Sequence, residues 1–357
     1  MKTASATLLA SALVVTSLLT MTSFSGEKVA IQINSLDETP YKTQTFNGIS
    51  ALRSQTSGGS LLVEGGSGSE ARVEMYVHSN NWNGKDELSK DEIEERLSNY
   101  DIVIRQEGST LVATAKQKNN NWNWKKGLSI SFKFYTPRTL STNISTSGGS
   151  IKMSHLAGEQ QFKTSGGSIQ LADLKGNIDG QTSGGSIKLT DCHNQIDLET
   201  SGGSIDAANS DGTINLNTSG GSIRLSGLNG VIKAKTSGGS INGDGIDGEL
   251  ITSTSGGSIR IRSMAGSIDA ETSAGSVEVA MSRVDKFVKL ETSAGSVRVN
   301  MPMNKGMDLD LSGNRVSAPL TNFSGSAEKD RIVGKMNGGG IPVRLTANSG
   351  SVYVNQN

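Results

Sequence analysis

An 18-residue repeat constrains the fold of this chain more than any other feature of its sequence. The string Thr-Ser-Gly-Gly-Ser-Ile begins at Thr146, Thr164, Thr182, Thr200, Thr218, Thr236 and Thr254. A variant, Thr-Ser-Ala-Gly-Ser-Val, keeps the same step at Thr272 and begins again, after a slightly longer step, at Thr292. Register kept over so many copies predicts stacked units, each of which buries its apolar side only against its neighbours.

The apolar positions identify each unit as a pair of strands. With the threonine as position 1, positions 6 and 8 are mostly apolar, as in Ile187 and Leu189, and so are positions 15 and 17, as in Ile196 and Leu198. Apolar residues separated by one polar residue are typical of a half-buried strand. The sequence therefore predicts an all-β fold, a parallel β-solenoid of 18-residue, two-strand coils preceded by a small mixed β domain that contains one helix.

The constant string at the start of each unit is interpreted as a corner rather than as a binding site. Glycine allows positive φ angles and close backbone approach, which corners between stacked strands require. Position 11 is mostly apolar, and the single cysteine, Cys192, occupies it, so we expect this thiol to be buried and inert. At position 7, no two neighbouring coils carry the same sign of charge, as stacking predicts for an outward column.

Residues 1–25 predict export. They combine Lys2, a mostly apolar stretch, and small residues at Ser23 and Ser25, which is typical of a secretory signal peptide cleaved after Ser25. No later apolar segment approaches the length that a membrane-spanning helix needs, so no transmembrane span is expected in the mature chain. The mature protein is expected in the periplasm, at the cell surface or outside the cell.

The remaining chain divides into three parts. Residues 26–145 are expected to form an N-terminal β-rich domain, with a helix at about 89–99 that begins with the capping-box spacing of Ser89 and Glu92. On this helix, Ile93, Leu97 and Tyr100 are expected to line one face. Residues 146–311 form the predicted solenoid, and residues 312–357 are expected to form degenerate coils and a C-terminal cap.

Composition argues against several classes of function. Lys+Arg and Asp+Glu are both 34, so the chain has no net positive charge with which to bind nucleic acid. The three histidines and the one cysteine lack the spacing of zinc ligands. A calcium-binding β-roll would need an aspartate after a glycine at each turn, where this chain has isoleucine or leucine. Ice binding would need outward threonine rows, whereas position 1 should point inward. We expect no metal and no cofactor.

Two segments before the repeats resemble a known family. The segments are NYDIVIRQEGSTLVATA, which follows the predicted helix, and SFKFYTPRTLSTNISTSGGSI, which contains Pro137 and runs into the first repeat. They resemble the bacterial putative-adhesin family of exported β-strand-repeat domains of unknown function, to which the auto-transporter adhesin head domain is similar. The resemblance implies a β-solenoid at a cell surface or in the envelope, and it supplies no catalytic residues.

Two functions remain open from the sequence. The first is a non-enzymatic, exported adhesin-like or cell-envelope scaffold protein. The alternative is a carbohydrate-active β-helix enzyme, a polysaccharide lyase or hydrolase, for which the best paired carboxylates are Asp244, Asp247, Asp308 and Asp310. The first is preferred, because short and nearly invariant turns build no groove around a substrate.

The tryptophans are the candidate ligand contacts. All three of them, Trp82, Trp122 and Trp124, lie in two asparagine-rich loops in the part of the chain that breaks the repeat. Tryptophan faces stack on sugar rings, and asparagine amides bond hydroxyl groups. The predicted partner is a glycan or an envelope or surface protein, and the sequence does not indicate an oligomeric state.

Overall fold

The computed structural model describes residues 39–80, 88–118 and 127–356. Over these residues it contains 23 strands and one helix, which confirms the predicted all-β class. Buried apolar side chains from Ile49 to Val354 form one hydrophobic cluster. Among the described residues, no helix is long and apolar enough to cross a membrane.

Eight strands and the helix precede the first 18-residue coil. They are β1 (Lys42–Asn47), β2 (Ala51–Thr56), β3 (Leu61–Gly66), β4 (Glu70–Ser79), α1 (Lys90–Leu97), β5 (Tyr100–Glu107), β6 (Thr110–Gln117), β7 (Leu128–Pro137) and β8 (Ser141–Thr146). Antiparallel pairing joins β1 to β4, β4 to β7, and β5 to β6. The parallel arrangement begins where β2 lies between β6 and β8.

The early copy of the repeat string at Thr56 is the corner of the first coil. It connects β2 to β3, and β3 pairs in parallel with both β7 and the first strand of the repeats. Thr56 lies in register with Thr146 although the whole of residues 57–145 lies between them in the chain. Strands from residues 39–145 and from the repeats thus share one stack, and the domain boundary placed at residues 145 and 146 stays a prediction.

The helix is shorter than the sequence predicts. It begins after Ser89, whose hydroxyl accepts a hydrogen bond from the Glu92 amide at 3.3 Å while the Glu92 carboxylate accepts one from the Ser89 amide at 3.0 Å. It ends at Leu97, because Ser98 and the residue after it bond back to carbonyls of the last turn. Tyr100 therefore does not extend the helix face, as expected, but is the first residue of β5.

The repeats form eleven strands in a parallel stack. They are β9 (Ile151–Thr164), β10 (Ile169–Thr182), β11 (Ile187–Thr190), β12 (His193–Thr200), β13 (Ile205–Ala208), β14 (Asp211–Thr218), β15 (Ile223–Thr236), β16 (Ile241–Thr254), β17 (Ile259–Thr272), β18 (Val277–Thr292) and β19 (Val297–Met301). Equivalent residues of successive copies are direct partners, as in Ile187, Ile205 and Ile223. The predicted solenoid register is confirmed, and the longer step before Thr292 appears as register shifts between β17 and β18.

Threonines at position 1 form a buried polar column through the stack. Each hydroxyl donates to the carbonyl of the second corner glycine in the preceding coil, as Thr200 does to Gly185 at 2.8 Å. The same hydroxyl accepts a bond from the second glycine of its own corner, 3.2 Å from the Gly203 amide. Polar groups are costly to bury unless they are hydrogen-bonded. An apolar residue at position 1 would leave the glycine carbonyl and amide without this partner, which explains why the position is threonine.

The two corner glycines have different roles. A Cβ on the second one, such as Gly203, would overlap the backbone carbonyl of Gly185 in the preceding coil. A Cβ on the first one, such as Gly202, would lie 3.5 Å from the Ser183 carbonyl oxygen, which is an ordinary contact. Alanine occupies the first position in the two variant copies, at Ala274 and Ala294. Close approach of neighbouring backbones, rather than positive φ, therefore requires the second glycine.

The last strands reverse the simple order of the stack. They are β20 (Met307–Ser317), β21 (Phe323–Ala327), β22 (Arg331–Met336) and β23 (Ile341–Gln356). The final strand, β23, pairs in parallel with β18 and β19 on one side and with β20 on the other. The antiparallel strands β22 and then β21 follow beyond β20. The last strand of the chain thus lies inside the stack, between β18 and β19 on one side and β20 on the other.

Candidate functional site

The three tryptophans that the sequence singles out lie outside the described residues. Trp82 belongs to residues 81–87, and Trp122 and Trp124 belong to residues 119–126. The structure does describe where these two segments join the fold. Their flanks meet directly, because the amide of Asn80 donates to the carbonyl of Gly127 at 2.9 Å.

Two further contacts hold Lys118, the other flank of residues 119–126, close to this point. The Tyr100 hydroxyl is buried, accepts a bond from the Leu128 amide at 2.8 Å and donates to the Leu128 carbonyl at 3.3 Å. The amide of Lys118 donates to the Asn99 carbonyl at 2.9 Å, and the Lys118 ammonium donates to the Ser98 carbonyl at 2.9 Å. Residues 119–126 therefore leave and rejoin the fold at one end of β4, β5, β6 and β7. Residues 81–87 leave the fold at this same end, and their other flank, Leu88, leads into α1.

The outer face of β4 and β7 carries a satisfied cluster of tyrosines and cations. Arg72 lies 4.3 Å from the ring centre of Tyr135, and Lys133 lies 4.4 Å from that of Tyr76. The Tyr76 hydroxyl donates to Glu74 at 2.8 Å. Burial, and then this bond to the carboxylate, raises the pKa of Tyr76 to about 12. Because cations already cover these ring faces, the tyrosines serve packing better than they would serve sugar stacking.

A second surface follows the outward positions 7 and 9 of the coils. We call it the arginine face, because most of its cations are arginine. Arg224 pairs with Asp206 at 3.1 Å, and Glu278 lies between two arginines, 2.9 Å from Arg260 and 3.5 Å from Arg298. The alternation of charge that stacking predicts for position 7 is thus present as ion pairs between coils.

Two open depressions lie next to each other on the arginine face. One, of about 480 Å³, surrounds the small side chain of Ala280. The other, of about 340 Å³, lies over Ser226 and Gly243. Both are lined by Arg260 and Arg262, so they form one continuous surface. Sequence reasoning missed this surface because it tested position 7 only for alternation of sign. Summing the charge over positions 7 and 9 together would have revealed it.

Three of the four carboxylates considered for catalysis are engaged by other groups. Asp247 lies 2.7 Å from Arg283, and Asp310 lies 3.4 Å from Arg331. Asp308 accepts a bond from the Gly340 amide at 3.3 Å. Asp244 lies apart from them on the arginine face. Within residues 39–80, 88–118 and 127–356, no three His, Cys, Asp or Glu side chains are grouped as metal ligands would be.

Cys192 and two histidines occupy structural positions. The Cys192 thiol is buried, as expected, and burial raises its pKa to about 11. His155 lies 2.8 Å from Asp173, and His193 lies 2.7 Å from Asp211, each pair joining neighbouring coils. A protonated, buried thiol is a poor nucleophile, so Cys192 acts as a core residue.

Residues 232–355 match the family model of Toastrack DUF4097, a domain of unknown function. No curated protein matches the chain. The crystal structure of a putative cell adhesion protein from Clostridium sporogenes ATCC 15579 has 11% identity and a TM-score of 0.17, covering 89% of this chain and 100% of that one. That of a putative adhesin from Bacteroides fragilis NCTC 9343 has 14% identity and a TM-score of 0.29, covering 72% and 96%.

At these TM-scores neither solved structure supports an argument about the function of this chain. The family model covers the later coils and the closing strands. Its match confirms, for residues 232–355, the resemblance to a family of β-strand-repeat domains whose function is unknown.

Proposed function

We propose that the mature protein is exported and acts as a non-enzymatic, adhesin-like or envelope scaffold protein that contacts a glycan or a surface protein through Trp82, Trp122 and Trp124. The observation that carries the proposal is the hydrogen bond between Asn80 and Gly127, which holds the flanks of both tryptophan segments together. Two segments whose flanks are bonded to each other can carry their three tryptophans on a single contact surface.

The coil stack supports a scaffold role. Its inward threonines at position 1 are hydrogen-bonded in the threonine column, its corners are short constant strings, and the candidate catalytic carboxylates Asp247 and Asp310 are engaged in ion pairs. A walled cleft of the kind that usually surrounds catalytic groups requires longer loops than these corners. The export signal in residues 1–25 supports a location outside the cytoplasm.

The test uses the mature chain and a variant in which Trp82, Trp122 and Trp124 are all replaced by Ala. We expect the wild type to bind cells or immobilised glycans and the variant to lose at least about tenfold in affinity, since truncating an aromatic residue at the centre of a contact typically costs more than about 1 kcal/mol. Tyr41→Ala removes an exposed ring elsewhere, 43% accessible, and should bind as the wild type does.

The outcomes separate the alternatives. Retained binding by the triple variant, with an unchanged circular dichroism spectrum, would remove the tryptophans from the contact. Release of reducing sugar or unsaturated products from a polysaccharide in the same assay would contradict the non-enzymatic assignment and favour the lyase or hydrolase. Recovery of the chain from the cytoplasm with residues 1–25 intact would contradict export.

A further inference from the structure

Charge is separated between the two outward surfaces of the coils. Over residues 151–300, positions 7 and 9 carry six cations and three carboxylates: Lys152, Lys188, Arg224, Arg260, Arg262 and Arg298 against Asp206, Asp244 and Glu278. Positions 16 and 18 of the same coils carry four cations and six carboxylates: Lys163, Lys233, Lys235 and Lys289 against Asp179, Asp197, Glu199, Asp269, Glu271 and Glu291. A chain with no net charge thus presents one positive and one negative face.

We propose that the arginine face binds a linear acidic polysaccharide that lies along the stacking direction of the coils. The site is built by residues other than the tryptophan segments, so it is a second contact surface and does not depend on the first. Anionic sugars are the class of ligand, with carboxylate or sulfate as the group that the arginines recognise.

The arginines of this face retain donors for a ligand. A guanidinium has five N–H donors, and only some are used by Glu278, which Arg260 and Arg298 share. Arg262 makes no ion pair or hydrogen bond with any residue that the structure describes. The side chains of Arg224, Arg260 and Arg298 are 69%, 53% and 54% exposed. Planar guanidinium groups bind carboxylate and sulfate-like anions in a bidentate manner, which lysine does not.

The geometry fits a linear ligand with regularly spaced charge. Arg224, Arg260 and Arg298 occupy position 7 of alternate coils, since Asn242 and Glu278 lie between them in register. Coils stack about 4.8 Å apart, so the cations recur at roughly 10 Å along a straight column. The two depressions at Ala280 and Ser226 leave room for rings between the arginines.

Asparagines complete the surface with groups that suit hydroxyls. Asn300 and Asn355 line the larger depression and Asn242 lines the smaller one. The Asn355 side-chain amide donates to the side-chain carbonyl oxygen of Asn300 at 2.9 Å, which leaves the Asn300 amino group and the Asn355 carbonyl oxygen for a ligand. Amides that donate and accept beside guanidinium groups match a polymer that has both hydroxyls and anionic groups.

Other polyanions fit this face less well. Duplex DNA carries about one charge per 1.7 Å, and the carboxylates of Asp244 and Glu278 within the face would repel such a dense row. Single-stranded nucleic acid needs aromatic rings for stacking, and among the described residues the face has only Tyr353, whose ring Arg298 covers at 5.3 Å. An acidic glycan, with charges spaced several ångströms apart and neutral rings between them, avoids both conflicts.

The experiment compares two variants of equal charge change in the full mature chain. The first is Arg260→Gln with Arg262→Gln and Arg298→Gln on the arginine face. The second is Lys163→Gln with Lys233→Gln and Lys235→Gln on the opposite face. Binding of polygalacturonate, dextran sulfate and neutral dextran is measured by calorimetry. We expect the wild type to bind an acidic polymer, the first variant to bind about tenfold more weakly and the second to change less than about twofold.

Each outcome decides the proposal. Preference for polygalacturonate or for dextran sulfate identifies the anionic group, and weakening by added salt supports charge recognition. Equal losses in both variants, equal binding of neutral dextran, or no binding of either acidic polymer would overturn the proposal. A dimer in sedimentation that the first variant abolishes would show that the negative face of a second copy occupies the site instead. Because the tryptophans are unchanged in both variants, failure here leaves the first contact surface untouched.

Discussion

The regular coils between residues 146 and 272 and the irregular part before them, residues 39–140, use the same kind of strand in different ways. In the coils, each interior position meets its equivalent in the next copy, as Ile205 meets Ile187 and Ile223. In the irregular part, the contacts are unique pairs far apart in the chain, such as the Thr56 hydroxyl on the Ile130 carbonyl at 2.7 Å. Because the coils repeat, their strand pairing can be predicted from the sequence. The irregular part has no such period, but it brings together the flanks of the tryptophan segments that are proposed to bind a partner.

The largest effect on stability is expected from a charge placed among the stacked isoleucines inside the coils. Ile205 is fully buried, and Ile205→Asp would leave a carboxylate among isoleucines with no partner. We expect a loss of more than about 4 kcal/mol, enough to prevent folding of the coils at ordinary temperature. Thermal unfolding followed by circular dichroism measures it.

The neighbouring outward residue supplies the control for this substitution. Asp206 pairs with Arg224 at 3.1 Å, and its side chain is 43% exposed. Asp206→Ala should cost no more than about 1 kcal/mol, as exposed ion pairs do. Similar melting temperatures for the two variants would contradict the inward and outward alternation on which the solenoid register rests.

A corner substitution separates close backbone approach from conformational freedom. In Gly203→Ala the new Cβ would overlap the Gly185 carbonyl of the preceding coil, so neighbouring coils must move apart. We expect a loss of about 3 kcal/mol or more in the free energy of unfolding. In Gly202→Ala the nearest atom is 3.5 Å away, and the change should be neutral or stabilising by up to about 1 kcal/mol.

Denaturant titration of both variants measures the difference. Equal destabilisation would mean that the corner needs two glycines for their φ and ψ angles rather than one for contact between coils. The same pair of substitutions at Gly58 and Gly59, in the irregular part, tests whether the first corner also needs only its second glycine. There too, only the second glycine approaches a backbone carbonyl closely, that of Ile130.

Two buried threonines predict opposite outcomes for the same substitution. The Thr200 hydroxyl bonds to Gly185 and Gly203, so Thr200→Val leaves a buried carbonyl and amide without this partner and should cost about 1–3 kcal/mol. Thr252 lies at position 17, is 2% exposed, and its hydroxyl has no partner among the described residues. Thr252→Val should therefore be neutral or stabilise the protein by about 1 kcal/mol.

Calorimetric melting of the two variants measures these changes. A loss of stability in Thr252→Val as large as that in Thr200→Val would show that inward hydroxyls are satisfied generally, and that position 1 is not special. A loss confined to Thr200→Val would identify the threonine column as a source of stability that the apolar ladders do not supply.

The limits of sequence reasoning follow from the same comparison. An 18-residue period specifies which residues are partners, so the ladders, the inward threonines and the burial of Cys192 could all be predicted. The hydroxyl-to-carbonyl bonds could not, because alternation indicates only a direction for a side chain. In the sequence alone, the early copy at Thr56 stands apart from the others, because residues 61–145 separate it from the first regular copy. Only strand pairing shows that β4 to β7 are inserted between adjacent coils.

The candidate sites were predictable to different degrees. That the flanks of the tryptophan segments meet depends on the antiparallel pairing of β4 with β7, which no local pattern encodes. The arginine face, by contrast, was contained in the repeat. Once the register is known, the residues at positions 7 and 9 form neighbouring columns, and their summed charge can be read directly from the sequence.

The smallest predicted effect concerns an ion pair that joins the two regions. Arg138, between β7 and β8, lies 2.8 Å from Asp173 of the second regular coil, and His155 contacts the same carboxylate. Burial alone would raise the pKa of Asp173, but the hydrogen bonds from His155 and Arg138 outweigh burial and hold the pKa below its usual value of 3.8. The folded state therefore favours the ionised carboxylate.

This lowered pKa sets the pH dependence of the stability that ionised Asp173 contributes. That contribution is fully present above the pKa of aspartate in the unfolded chain, near pH 4, and is lost as the pH falls through the lower pKa of the folded state. Asp173→Asn should cost no more than about 1 kcal/mol at neutral pH, because the side chain is 34% exposed and solvent screens the pair. The variant and the wild type should converge in stability at acid pH.

Asp191→Asn is the matched control for this prediction. Asp191 occupies the same position, position 10, one coil later, with φ of 54° against 51° at Asp173, and asparagine tolerates this left-handed conformation. It makes no ion pair with the residues that the structure describes, so its replacement changes the same kind of side chain without removing a link between coils. Unfolding by urea at neutral pH and below pH 4 distinguishes the two variants. A loss that is equal in both, or one that persists in acid, would mean that the left-handed conformation at position 10 and not the link to Arg138 determines the stability of this junction.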